Sequence, residues 1–338
     1  MKKAAYVEQG KNSEAICHLC PHHCTVREGK SGICRVRTNH GGILYSANYG
    51  KVCSMSMDPI EKKPLYHFFP GRNILSAGSV GCNLQCLFCQ NYEISQTGVD
   101  EYPHLHDYSP ADILSFASRD PDNLGIAYTY NEPAVWYEFM YDIARLASQK
   151  GLKNVMVTNG YISPEPLEDI FPYMDAFGVD LKAFTDRFYK KLTHSTLDPV
   201  LDTLKRIRKA GKHLEITNLI IPGENDDDET FENMVRWIAE NLGKETVLHL
   251  SKYFPTYKLS HPSTPASTLE RLAGMASKHL DYVFIGNTWT KNGQNTRCPS
   301  CGNLVIRRTG YSTSKPGLDK DGKCMKCGRQ VLDRDCIS

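Results

Sequence analysis

The sequence predicts an α/β protein whose parallel sheet is wound into a full or partial (β/α) barrel. Between residues 73 and 290, short apolar segments alternate with amphipathic stretches of helical length, the pattern of a parallel sheet with helices on its outside. Six or seven such units in about 215 residues suit a barrel better than a short doubly wound sheet. Residues 1–72 and 291–338 break that rhythm and are polar and Cys-rich. Three regions follow: an N-terminal Cys-rich metal-binding region (1–72), the barrel (73–290) and a small Cys-rich C-terminal domain (291–338).

The elements are read in order. A short strand is expected at 43–46 in the N-terminal region. Barrel strands are expected at 74–79, 125–130, 154–158, 177–181, 215–221, 247–250 and 282–285. Each is a brief apolar run of strand length between turn-forming residues. Amphipathic helices are expected at 134–148, 228–241 and 268–279, the first closed by Gly151 as a C-terminal cap.

The 338 residues carry 40 Lys and Arg against 38 Asp and Glu, a net +2, with 41% hydrophobic and 23% charged residues. Near-neutrality argues against a surface built as a whole to grip nucleic acid or anionic lipid. It also hides an asymmetry. The 291–338 tail holds 10 Lys and Arg against 4 Asp, a +6 segment on a −4 body. The opening MKKAAYVEQG reaches Glu8 and Gln9 before any apolar stretch forms, unlike a signal peptide. No run approaches the roughly 18 apolar residues of a membrane span. A cytoplasmic location is expected. Thirteen cysteines are then the anomaly, since a reducing compartment directs Cys-rich spacing toward metals or catalysis.

The cysteines form sets of four, three and four, with Cys53 and Cys336 alone. Cys17, Cys20, Cys24 and Cys34 open the chain, Cys82, Cys86 and Cys89 follow the first barrel strand, and Cys298, Cys301, Cys324 and Cys327 close it. Four protein ligands saturate a structural site, whereas three leave a coordination position free for chemistry. Active sites of parallel α/β sheets gather beyond the carboxyl ends of strands, where the three-Cys set lies. Three thiolates at C-x3-C-x2-C spacing suit a cubane whose fourth iron takes an outside ligand; zinc completed by a distant His or Cys is the alternative. The tail's two C-x2-C pairs, 22 residues apart, have zinc-ribbon spacing. The first set admits structural zinc or an auxiliary Fe–S cluster. Zinc is the preferred reading, because a segment this short needs a staple to fold. Cys53 reads as a small buried thiol.

With Phe88 before the third cysteine, the second set resembles the radical S-adenosylmethionine (SAM) superfamily. Glu132-Pro133 sits where that superfamily has its Gly-Gly-Glu motif, with Tyr130 and Asn131 in place of the glycines. Thr158-Asn159-Gly160 and Asp180-Leu181-Lys182 resemble motifs of glycyl-radical-enzyme activases. Val157 stands where those activases carry Asp, against a monovalent-cation site of their kind. The string CHLCPHHC, the 58–68 stretch DPIEKKPLYHF, GCNLQCLFCQNYEISQ and YTYNEP resembles the AmmeMemoRadiSam-system radical SAM enzymes, commonly labelled pyruvate formate-lyase activase homologues.

The resemblance implies a partial (β/α)6-type radical SAM barrel with a zinc-ribbon-like tail. It implies a [4Fe–4S] cluster on Cys82, Cys86 and Cys89, SAM on its open iron, and reductive cleavage to a 5′-deoxyadenosyl radical. By the same analogy, Glu132 takes the SAM ammonium, and Lys182 its carboxylate or ribose region. Phe88 and the strand leading to Asn287 border the adenine; Asn131, Asn159 and Asp180 complete the cofactor site. Reduced flavodoxin or ferredoxin is the expected electron donor, and Memo-like and AMMECR-type proteins the expected company. Two other readings stand beside this one: a true glycyl-radical-enzyme activase, and a zinc protein binding RNA or other nucleic acid through its basic tail. Near-neutral charge and a three-Cys site at a strand end weigh against the second of these.

Overall fold

The computed structural model describes residues 1–288 and 293–337. The expected boundary at 290/291 lies outside the described residues. Its centre is one eight-stranded sheet. In chain order the strands are β1 (Ser54–Pro59), β2 (Asn73–Gly78), β3 (Asn123–Tyr128), β4 (Lys153–Thr158), β5 (Ala176–Asp180), β6 (His213–Ile220), β7 (Val247–Lys252) and β8 (Val283–Gly286). Spatial order follows chain order throughout. β1 runs antiparallel to β2 and all other neighbours are parallel. Among the described residues no ladder joins β8 back to β1, so the barrel is partial. It holds seven parallel strands, one more than six. The sheet begins before residue 73, because Ser54–Pro59 pairs along the whole of β2.

The strands form where β-branched and aromatic residues are buried on both faces, as parallel sheets require; β3 is buried at all six positions. Between them run helices including α1 (Pro110–Ala117), α2 (Tyr137–Gln149), α3 (Pro164–Ile170), α4 (Asp198–Lys209), α5 (Asp228–Leu242) and α6 (Ala266–Ala276). Helix α1 starts with a capping box between Ser109 and Asp112. Helix α2 begins after a 3-10 turn at Pro133–Trp136. It ends as expected at Gly151: at φ +73°, Gly151 N–H donates to the Ser148 carbonyl while Leu152 N–H donates to that of Ala147. This pair of bonds closes the helix in a left-handed residue that glycine adopts freely.

The flanking regions occupy opposite ends of the barrel. Residues 1–50 form two small antiparallel sheets, including the expected strand Ile43–Ser46, and pack over the loops that leave β2, β3 and β4. Trp136 Nε1–H donates to the Asn48 carbonyl and Ser163 N–H to that of Leu19. A Cβ on Gly81 would lie 2.6 Å from the Cys34 carbonyl oxygen, which fixes how closely this cap meets the loop after β2.

The C-terminal sheet, Thr296–Arg297, Leu304–Thr309 and Ser312–Ser314, packs at the other end, where Val247 and Tyr282 begin their strands. Residues 60–69 turn into the barrel there. Buried Glu215 accepts the Tyr66 and His67 N–H groups and bonds His213 and His249. A Cβ on Gly178 of β5 would meet the Lys63 carbonyl at 3.1 Å. This segment forms the barrel's floor. Among the described residues no helix is long and apolar enough to cross a membrane.

Candidate active site

A cavity of about 440 Å³ opens at the carboxyl ends of the strands. The loop after β2 brings Cys82, Cys86 and Cys89 to its wall, together with Phe88. That loop is held from several sides. Asn131 accepts the Ser79 N–H and donates to the Gly81 carbonyl, and Leu84 N–H and Asn159 Nδ2 both donate to Cys82 Sγ. Loss of water pushes all three thiols above their ordinary range, Cys86 to about 12. A group of buried sulfurs becomes favourable as thiolates only when a cation gathers them. The donor set therefore fits an iron–sulfur cluster held by three cysteines.

Across the cavity, Glu132 follows β3. Its side chain caps the 3-10 turn by accepting Ala134 N–H, and it also accepts from Thr158 Oγ1 at 2.7 Å and Asn159 N–H at 2.8 Å. All three donors are neutral. Among the described residues no cation pairs with it, and burial lifts its carboxyl to about 7. A buried carboxylate on a cavity without a counter-ion fits an ammonium supplied from outside.

Asp180 closes β5 and pairs with Lys182 at 2.9 Å. Burial disfavours the lysine's charge, but Asp180 and Cys86 outweigh that and hold it well above the usual lysine range. Lys182 thus presents a fixed positive charge beside the sulfurs, 6.0 Å over the Phe88 ring.

Cys82, Cys86, Cys89, Phe88, Asn131, Glu132, Asn159, Asp180 and Lys182 all line this one cavity. Asn131 faces it while bonded to the cysteine loop. Asn287 does not reach it: the residue is exposed, at φ +59°, and donates to the Lys252 carbonyl. Of the strand leading to it, Tyr282 and Phe284 pack near His67 and Tyr66 in the floor. Cys53 also lies outside the cavity walls, its thiol on the Ser79 carbonyl at 2.9 Å.

The cavity wall further includes Lys62, Lys63, Thr129, Thr217, Leu219 and Ser251. Alternation in the last turn of each barrel strand could have found Thr217 and Leu219. Lys63 is buried, and both lysines pair with Asp58 at 2.7–2.8 Å. Tyr130, at φ +77°, reaches down to donate to the same carboxylate. The ions hold Asp58 far below the ordinary carboxylate range although burial acts the other way.

At the far end, Cys298, Cys301, Cys324 and Cys327 present sulfurs all within 4.8 Å of one another. Two pairs stand at 3.5 and 3.7 Å. This arrangement could hold one metal ion.

The sequence profile of the Radical SAM superfamily matches residues 77–238, the stretch that supplies most of this cavity. The chain carries a radical SAM domain. An uncharacterised protein of Methanocaldococcus jannaschii is 44% identical over 334 residues, 98% of this chain and 99% of its own. The pyruvate formate-lyase 1-activating enzyme of Escherichia coli K12 is 21% identical over 219 residues, 61% of this chain and 89% of that one. Among solved structures, a radical SAM methyltransferase from Sphaerobacter thermophilus matches with a TM-score of 0.51 at 16% identity, covering 65% of this chain and 67% of that one. Streptococcus suis SuiB bound to S-adenosylmethionine matches at 0.50 and 15% identity, over 68% and 53%. At such identities the structural likeness concerns the fold, a radical SAM α/β fold.

Proposed function

We propose that the chain binds a [4Fe–4S] cluster through Cys82, Cys86 and Cys89 and uses SAM to abstract hydrogen from a substrate entering the same cavity. The observation that carries this is one cavity lined by three cysteine thiols, a buried carboxylate lacking a counter-ion and a fixed lysine charge. When bound and reduced by one electron, the cluster supplies cleavage of the sulfonium to methionine and a 5′-deoxyadenosyl radical. The chain's residues do the positioning. Glu132 receives the SAM ammonium, Lys182 its carboxylate or ribose side, and Phe88 borders the adenine. Asn159 and Asn131 hold the cysteine loop in register, and the 1–50 cap excludes water.

Anaerobic incubation with SAM and dithionite tests the reading. The wild-type chain releases 5′-deoxyadenosine and Cys86→Ala releases none; equal release from both refutes the assignment.

The Escherichia coli relative supports a second reading, a glycyl-radical-enzyme activase. A glycyl-radical doublet on a partner enzyme, seen by EPR, would select it. The motifs CHLCPHHC and DPIEKKPLYHF support placement among the AmmeMemoRadiSam-system enzymes, with Memo-like and AMMECR-type proteins as partners and flavodoxin or ferredoxin as reductant. For the C-terminal tetrad we read zinc. A Zn–S bond of about 2.3 Å in a tetrahedron separates sulfurs by about 3.8 Å, close to the two pairs observed.

A further inference from the structure

We infer that Cys17, Cys20, Cys24 and Cys34 hold a second four-iron cluster rather than zinc, set to exchange electrons with the cluster at Cys82. The four thiols are free and line one small cavity at the meeting of the N-terminal cap and the barrel. Their spacing separates them from the C-terminal tetrad. Those sulfurs lie within 4.8 Å of one another, and among the described residues no other three metal-ligating side chains come that close. Neither the N-terminal set nor Cys82, Cys86 and Cys89 brings three sulfurs together to that degree. One ion draws four thiolates together, whereas a cubane seats each on its own iron and keeps them apart.

The surroundings suit an anionic cluster with sulfide acceptors. Arg37 lines the cavity and is 1% exposed. Its guanidinium pairs with Glu138 at 3.0 Å, while Nε and Nη1 are buried with no hydrogen-bond partner. Sulfide and thiolate sulfurs would satisfy those donors, and such bonds tune a cluster's potential. Leu19 and Val135 close the site against water, both about fully buried.

Two amide side chains link this site to the catalytic one. Asn83 lines the N-terminal cavity together with Cys20. Its Oδ1 accepts from Asn159 Nδ2 at 2.9 Å, and that same Nδ2 donates to Cys82 Sγ. Asn83 and Asn159 are both buried. One electron leaves the reduced N-terminal cluster, which is thereby oxidised, and reduces the cluster at Cys82. A low-potential one-electron carrier such as reduced ferredoxin or flavodoxin restores the first. The relay rests on the catalytic reading above; the identity of the N-terminal group does not.

Metal and acid-labile sulfide analysis of the anaerobically purified full chain tests both. About eight irons, eight sulfides and one zinc per chain are expected, and the Cys82→Ala/Cys86→Ala/Cys89→Ala variant should keep about four irons. Cys20→Ser/Cys24→Ser should lose the other half while retaining the zinc and the ability to cleave SAM with excess dithionite. About four irons and two zincs in the wild type, or a triple variant without iron, overturns the cluster. Should both clusters assemble, EPR of the fully reduced chain should show broadening absent from either variant. A spectrum equal to the sum of the two variants' spectra overturns the relay.

Discussion

Arg308→Ala should cost the protein about 3–5 kcal/mol, because it breaks a buried ion pair from one side. The side chain leaves the C-terminal strand Leu304–Thr309 and enters the barrel floor fully buried. Nη2 donates to the Tyr66 carbonyl, and Nη1 donates to the Gln294 carbonyl at 3.1 Å and to Thr296 Oγ1 at 3.0 Å. Its plane lies 4.2 Å over the Tyr66 ring. Nε stands 3.7 Å from Glu61 Oε1, beyond a hydrogen bond but within ion-pair range. Three lost hydrogen bonds at about 1 kcal/mol each already give about 3. Glu61 then keeps only the Gly71 N–H and Thr313 hydroxyl, a buried charge without a counter-charge, which moves the loss toward the upper figure. Anaerobic urea unfolding of wild type, Arg308→Ala, Glu61→Gln and the double variant measures it. The double variant should be less destabilised than the sum of the singles by at least about 1 kcal/mol, since its buried amide carries no charge. A loss below about 1 kcal/mol for Arg308→Ala, or strict additivity, would refute the coupling of C-terminal domain to floor.

Three other outcomes are expected. Glu132, raised from 4.5 to about 7 by burial, contributes stability that is present below pH 4.5 and lost as pH rises through about 7, some 3 kcal/mol in all. The wild-type advantage over Glu132→Gln in SAM-free protein should shrink accordingly between pH 5 and 8.5; a pH-independent difference contradicts it. Lys182→Met should weaken SAM binding by about 10–100-fold, the worth of a charge-assisted hydrogen bond, while iron content stays unchanged; unaltered affinity by equilibrium dialysis would remove Lys182 from the cofactor site. Gly81→Ala forces a Cβ to within 2.6 Å of the Cys34 carbonyl at φ +90° and should lower thermal stability more than an ordinary surface change, by over about 1 kcal/mol. A melting temperature equal to wild type would mean that the cap does not meet the loop there.

Barrel and site were legible to different degrees, for physical reasons. Each expected barrel strand lies within two residues of an observed one, because strands buried on both faces leave short, dense apolar runs between turns. β1 escaped notice: Ser54-Met55-Ser56-Met57-Asp58-Pro59 mixes polar residues with a terminal proline, the signature of an edge strand rather than a core one. The three cysteines of the open site were readable because metal ligation imposes spacing within a single loop. Glu132, Asp180 and Lys182 came through likeness to known motifs, and Thr217, Leu219 and Ser251 leave only a strand-end position as a trace.

The 58–68 stretch shows why charge runs resist reading. Asp58, Glu61, Lys62 and Lys63 have the composition of a solvated face, yet Asp58, Glu61 and Lys63 are buried, and Asp58 and Glu61 have partners distant in sequence. Asp58 is bonded by Tyr130, 72 residues on, and Glu61 by Thr313, 252 residues on. Arg308 deceives in the same way, since it sits among the tail's basic residues but serves the floor. Such partners meet only once the sheet has formed, so no local pattern in the chain announces them. The consequence is functional: Lys63 and Tyr130 line the cavity with their polar groups already committed to Asp58. A substrate reaching them would therefore meet polar groups already bonded to one another, leaving Glu132 as the buried wall carboxylate that no cation pairs among the described residues.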